Sequence, residues 1–218
     1  MTAMRLRHLR IRIQTSNGLY GTDIPFPDGM VVIWADNSMG KSTCVKSVMV
    51  ALGLEAILTT SMSDLPLTPV MKSFLEDETG KTHHVTESRI FLEIENADGE
   101  RITIERLVRG DRDHNLVSVI QGPALTTPGK FPIDDYFLAR SGAASRERGF
   151  HHFLATFLKW KLPSVQTYDG RDCPLYLQCV FPFLLVEQSR GWSTLQPPVP
   201  GQFRIKDPWL MKVRWWRP

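Results

Sequence analysis

The residues best suited to chemistry are Ala35-Asp36-Asn37-Ser38-Met39-Gly40-Lys41-Ser42-Thr43, where a glycine, a lysine and two hydroxyls follow one another. In that order they fit a polyphosphate. Lys41 would neutralise the β- and γ-phosphates, the Ser42 hydroxyl would ligate Mg²⁺, and Thr43 is placed to donate near the α-phosphate. Asn37, Ser38, Met39 and Gly40 form the loop whose backbone would line the ligand. The pattern G-x-x-x-x-G-K-[ST] has glycine where this chain has Ala35, and alanine serves there only if its φ stays negative.

The context expected of such a loop is a strand before it and a helix after it. Met30-Val31-Val32-Ile33-Trp34, after the turn Pro27-Asp28-Gly29, reads as a buried strand. From Ser42 to about Leu54, Cys44, Val45, Val48, Met49 and Leu52 recur on one helical face. The strand would deliver the loop to a helix N-terminus, where unpaired N–H groups and the positive end of the dipole attract phosphate. The alternative is a chance Gly-Lys-Ser-Thr in an ordinary turn before a capped helix.

A chain of 218 residues suits one large domain or a domain with an insertion, and 42% hydrophobic with 22% charged residues is a globular composition. No apolar run approaches the roughly 18 residues that span a bilayer, and the basic start Met1 to Arg12 has no apolar segment after it, so it is no secretory signal. A cytoplasmic protein without membrane contact is expected. Cys44, Cys173 and Cys179 make no even disulfide framework and lack zinc spacing. His83-His84 and His151-His152 are adjacent residues that point different ways, which argues against a shared metal. A net charge of +3 is too small to indicate nucleic acid by itself. Arg5, Arg7, Arg10 and Arg12 crowd the first strand opposite Leu9, Ile11 and Ile13; they make a solvated basic face or place an arginine beside phosphates.

The remaining pattern predicts a strand-rich lobe around the loop. Arg5 to Gln14 and Leu19 to Pro25 read as strands joined at Ser16-Asn17-Gly18, and Glu87 to Asn96 with Glu100 to Arg109 as a hairpin around Asp98-Gly99. Thr59 to Asp64 is a polar break, Val70 to Glu76 a short helix, Leu116 to Ile120 a third strand, Pro123 to Ser145 a long surface connection, and Phe150 to Trp160 a helix ended by Pro163.

A second stretch, Leu175 to Trp192, is an apolar segment ending in Glu187-Gln188 before a polar, glycine-containing loop. Together with the loop at Ala35 to Thr43, it resembles the N-terminal half of SMC-like ATPase heads, which include coiled-coil ATPases of double-strand break repair and anti-phage systems. The resemblance covers roughly Arg5 to Asp207 and implies an α/β P-loop NTPase lobe of the ABC/SMC head type with an antiparallel β subdomain. It implies that Asn37, Gly40, Lys41, Ser42 and Thr43 are the Walker A positions. Gln188 would be the Q-loop glutamine, sensing Mg²⁺ and the attacking water. Gln178 is a rival inside the apolar run, better suited to a buried hydrogen bond, and the family's catalytic base is not Glu187 but lies in a Walker B segment. ATP and Mg²⁺ are the implied cofactors. A second head in a homodimer, and DNA through the full-length assembly, are the implied partners.

The family also needs a Walker B run of apolar residues followed by Asp-Glu, a signature loop and coiled-coil heptads; none follows Gln188. The stretch Pro208 to Pro218 is a tail without strand or helix period, holding Trp209, Trp215 and Trp216. A fragment, or a frame shift near Pro208, is therefore expected, binding ATP without hydrolysing it alone. Two other readings stay open: a different small P-loop enzyme such as a kinase or GTPase, and a degenerate head that only docks on a partner.

Overall fold

The computed structural model describes residues 4–37, 39–59, 65–138, 148–181 and 184. Two long strands open the chain, β1 (Arg5–Thr15) and β2 (Gly18–Pro25), followed by helices α1 (Lys41–Ala51), α2 (Glu55–Leu58) and α3 (Pro69–Lys72). Next come strands β3 (Phe74–Glu76), β4 (Thr82–Glu95), β5 (Arg101–Arg109), β6 (Leu116–Ile120) and β7 (Ile133–Phe137), then helix α4 (Phe150–Phe157). A small hairpin of β8 (Ser164–Gln166) and β9 (Asp172–Pro174) leads to the single turn α5 (Leu177–Val180). The main sheet runs β2-β1-β4-β5-β6-β7 with every neighbouring pair antiparallel, and β3 pairs with β4. The fold is mixed α/β with a mainly antiparallel sheet.

Alternation decides which face is core. Leu9, Ile11 and Ile13 of β1 lie beside Ile90, Leu92 and Ile94 of β4, then Ile102 and Ile104 of β5 and Val117 and Val119 of β6, all buried. Met49 and Val50 of α1 and Phe150 and Leu154 of α4 cover that face, each fully buried side chain stabilising the fold by roughly 1.5–3 kcal/mol. Asn96 fastens the β4–β5 turn: its Oδ1 accepts from the N–H groups of Asp98 and Glu100 at 3.0 Å each, and its Nδ2 donates to Phe157 O of α4 at 3.0 Å.

The opposite face is laced with ion pairs. Asp23 accepts from Arg10 at 2.5 Å, Arg12 at 2.6 Å and His8 at 3.2 Å, while Arg7 and Arg101 each reach Glu95 at 2.7 Å. Burial opposes ionisation of Asp23, but the hydrogen bonds from Arg12, Arg10 and His8 prevail and hold its carboxyl down at about 2. The Arg7 hydrogen bond, helped by Arg101, likewise holds Glu95 at about 2. The arginines of the first strand are therefore bound to carboxylates of the same sheet.

The hairpins, the loop helix, the third strand and α4 fall within a few residues of where the pattern puts them. Three stretches differ. The run 30–34 is in no strand of the sheet, and Met30, Val32 and Trp34 are 91%, 73% and 85% exposed. No described strand lies alongside it, so its apolar character reports a capacity to pair that the described residues do not fill. Val70 to Glu76 is helical only to Lys72 and then becomes β3, which pairs with the start of β4. The predicted connection Pro123 to Ser145 contains β7, an edge strand whose Asp135 accepts from the Ser118 hydroxyl of β6 at 2.7 Å and from Arg112 at 2.9 Å. Charged side chains on an edge discourage further pairing, and their low strand propensity hid the element. Among the described residues no helix is long and apolar enough to cross a membrane.

Candidate phosphate-binding site

The loop enters α1 through Gly40, whose φ of +82° lies in the left-handed region that glycine adopts without strain. Among the described residues no side chain caps the helix, and the first N–H···O bond of its opening turn runs from Cys44 to Gly40 O at 3.0 Å. The N–H groups of Lys41, Ser42 and Thr43 are thus directed out of the helix end, where the dipole is positive.

Lys41 folds back over the loop. Its Nζ donates to Ala35 O and to Asp36 O, both at 2.6 Å, which closes the chain into a ring around the ammonium. An ammonium has three donors, so one N–H is left for a ligand oxygen. Among the described non-glycine residues only Lys159 has a positive φ. Ala35 therefore keeps the negative φ that its replacement of glycine demands.

The other loop residues divide by exposure. Asn37, Met39 and Ser42 are exposed at the mouth. Thr43 is buried, with its hydroxyl 3.1 Å from that of Thr68 at the N-cap of α3. Its side chain thereby ties α1 to α3, and its backbone N–H is the group left to meet a phosphate. Cys44 lies half-buried one residue further on, and burial pushes its thiol up from the ordinary value. Ser38 and Gln188 lie outside the described residues.

The donor set fits a polyphosphate: one ammonium, uncapped helix N–H groups and a glycine at the entry. For Mg²⁺ it offers the Ser42 hydroxyl, and among the described residues no group of three or more His, Cys, Asp or Glu side chains could hold a metal ion. A magnesium ion there would rest on Ser42, phosphate oxygens and water, the ligands this ion accepts.

Other sequence candidates take structural partners. His83 is buried, 2.7 Å from the Asp77 carboxylate. Hydrogen bonds from Thr79 first, and then His83, lower the Asp77 carboxyl well below its usual range. Gln178 donates from Nε2 to His151 Nδ1 at 2.7 Å, a partly buried hydrogen bond where a buried one was expected. A cavity of about 470 Å³ lies between α4 and Pro174–Leu177, lined by residues the loop does not share.

Two residues escaped the motif reading. Arg106 is 1% exposed, donating to Val50 O at 2.9 Å and to His114 O at 3.0 Å, with the Glu55 carboxylate at 2.7 Å. His151 is buried, 3.2 Å from Leu52 O. Arg106 had a visible signal: it continues the core-facing parity of Ile102 and Ile104, where an arginine must have buried partners.

No protein-family model, curated protein or solved structure matches the chain.

Proposed function

We propose that Ala35 to Thr43 binds the phosphates of Mg-ATP, and that the chain is the N-terminal lobe of an SMC-like ATPase head acting in DNA repair or anti-phage defence. The observation that carries this is Lys41 Nζ, held by Ala35 O and Asp36 O at the uncapped N-terminus of α1. An ammonium held by two loop carbonyls with a donor to spare suits a multiply charged anion. An isolated turn before a capped helix would need neither feature.

Binding and hydrolysis separate here. Lys41, Ser42, Gly40 and the N–H groups of the first turn suffice to hold the β- and γ-phosphates. Cleavage also needs a carboxylate to fix Mg²⁺ and polarise water, and no apolar run ending in Asp-Glu follows Gln188. The lobe therefore binds ATP without turning it over by itself. In an assembled enzyme, ATP would lie between Lys41 and Ser42 of one head and the signature loop of a second, with Gln188 sensing the metal and DNA bound by the whole assembly. The test is calorimetric titration of Mg-ATP into the wild-type chain and Lys41→Ala. Loss of a charged hydrogen bond predicts affinity at least about tenfold weaker, with an unchanged melting profile. Equal affinity in both proteins would remove the loop from the site.

A second reading rests on the exposure of Met30, Val32 and Trp34 beside the loop. Exposed apolar side chains at three alternate positions suit an interaction surface, as in a degenerate head that docks on a partner without catalysis. Partner binding indifferent to ATP would favour it.

A further inference from the structure

The far end of α1 is held by buried side chains that phosphate binding does not use. The helix runs 11 residues, about 16 Å at its usual rise, and closes in a Schellman turn, with Leu54 N–H on Met49 O and Gly53 N–H on Val50 O, both at 3.0 Å. Arg106 adds a donor to Val50 O, and His151 faces Leu52 O at 3.2 Å.

The partners fix the proton of His151. Leu52 O only accepts, so Nε2 carries the hydrogen, and Nδ1 is left to accept from Gln178 Nε2 at 2.7 Å. The ring has no slack against the turn: a Cβ at Gly53, where φ is +68°, would stand 2.9 Å from His151 Nε2 and 2.2 Å from Leu138 Cδ2. The other end of the chain of hydrogen bonds is less settled. Among the described residues Gln178 Oε1 is buried without a hydrogen-bond partner, a costly state for an amide oxygen, and α5 is only four residues long. A rearranged α5 that gave this oxygen a donor would compete with the one described, which is the property of a two-state element.

We propose that His151 and Gln178 are positioning residues that couple α1 to α5, so that an anion bound at the N-terminus of α1 orders Leu177–Phe181. The coupling rests on the reading of Ala35 to Thr43 as a phosphate site and names the regulation of that site. α1 behaves as one rod of hydrogen bonds, so a ligand that restrains its first turn also restrains Leu52 O, and through the imidazole the amide of Gln178. By reciprocity, whatever moves α5 changes the affinity for nucleotide.

Backbone hydrogen exchange of the full chain, with and without Mg-ATP, tests this in the wild type and in Gln178→Leu, which keeps the side-chain volume and removes both amide groups. In the wild type, exchange is expected to slow about fivefold or more at residues 41–44 and also at 177–181. In Gln178→Leu, slowing at 41–44 persists and that at 177–181 is lost. Slowing at 41–44 alone in the wild type would overturn the coupling while leaving the phosphate site standing, whatever the stability of the variant. Retained slowing at 177–181 in Gln178→Leu would overturn the role of this amide. A wild type slowed at neither segment would overturn the phosphate site, and the coupling with it.

Discussion

An ammonium already held by two carbonyl oxygens keeps a fixed place before any ligand arrives, and this is what Lys41 gains from Ala35 and Asp36. Preorganisation of that kind lowers the ordering cost of binding. His151 is the second residue whose surroundings set its chemistry. Burial, reinforced by the nearby Arg106 charge, lowers its pKa from 6.5 to about 4, against the opposing hydrogen bonds at Leu52 and Gly53. A folded-state value below the unfolded one means that the unfolded chain binds the extra proton. Stability is then full above about pH 6.5 and is lost as the pH falls towards about 4. The loss across that window is roughly 3 kcal/mol. Denaturant unfolding at stepped pH should show the slope in the wild type and a flatter profile in His151→Gln; parallel profiles would show that another group titrates there.

At the scale of elements, α1 is the part whose position matters most, fixed at one end by Thr43 on Thr68 and at the other by Arg106 on Val50 O. The buried pair of Arg106 with Glu55 serves that helix end, and breaking such a pair is costly because one charge stays behind. Arg106→Met is expected to destabilise the chain by about 3 kcal/mol or more, measured by denaturant titration; a change under about 1 kcal/mol would mean that the pair is dispensable. The hairpins of the sheet were legible because Leu9, Ile11 and Ile13, or Ile102 and Ile104, alternate strictly beside Asn-Gly and Asp-Gly turns. β7 was not, since Asp134 and Asp135 hide a strand that exists only through its partner β6. The run 30–34 fails in the opposite sense: its pattern is that of a buried strand, yet burial needs a neighbour that no pattern within the run can supply. In the candidate site, Gly40, Lys41 and Ser42 could be singled out because a Gly-Lys-Ser pattern is local in sequence. Arg106, His151 and Gln178 meet across distant segments, and only the parity of Arg106 on β5 hinted at its burial.

For the whole molecule, the sheet is a scaffold whose outer face is neutralised internally and whose helical side carries the N-terminus of α1, the helix end proposed as the site. The basic first strand is bound to Asp23, Asp28 and Glu95, so a chain of net charge +3 has little spare cationic surface there for a nucleic acid. In the proposed site, phosphate would be met instead by Lys41 and the N–H groups of one turn. The exposed Met30, Val32 and Trp34 precede that turn in the chain. The most direct measurement is amide NMR of the ¹⁵N-labelled chain titrated with Mg-ATP. The predicted result is saturable shifts largest at the N–H groups of Gly40, Lys41, Ser42 and Thr43, absent with AMP, which lacks the β- and γ-phosphates. Saturable shifts centred elsewhere, or none at these four residues, would contradict a phosphate site at the start of α1.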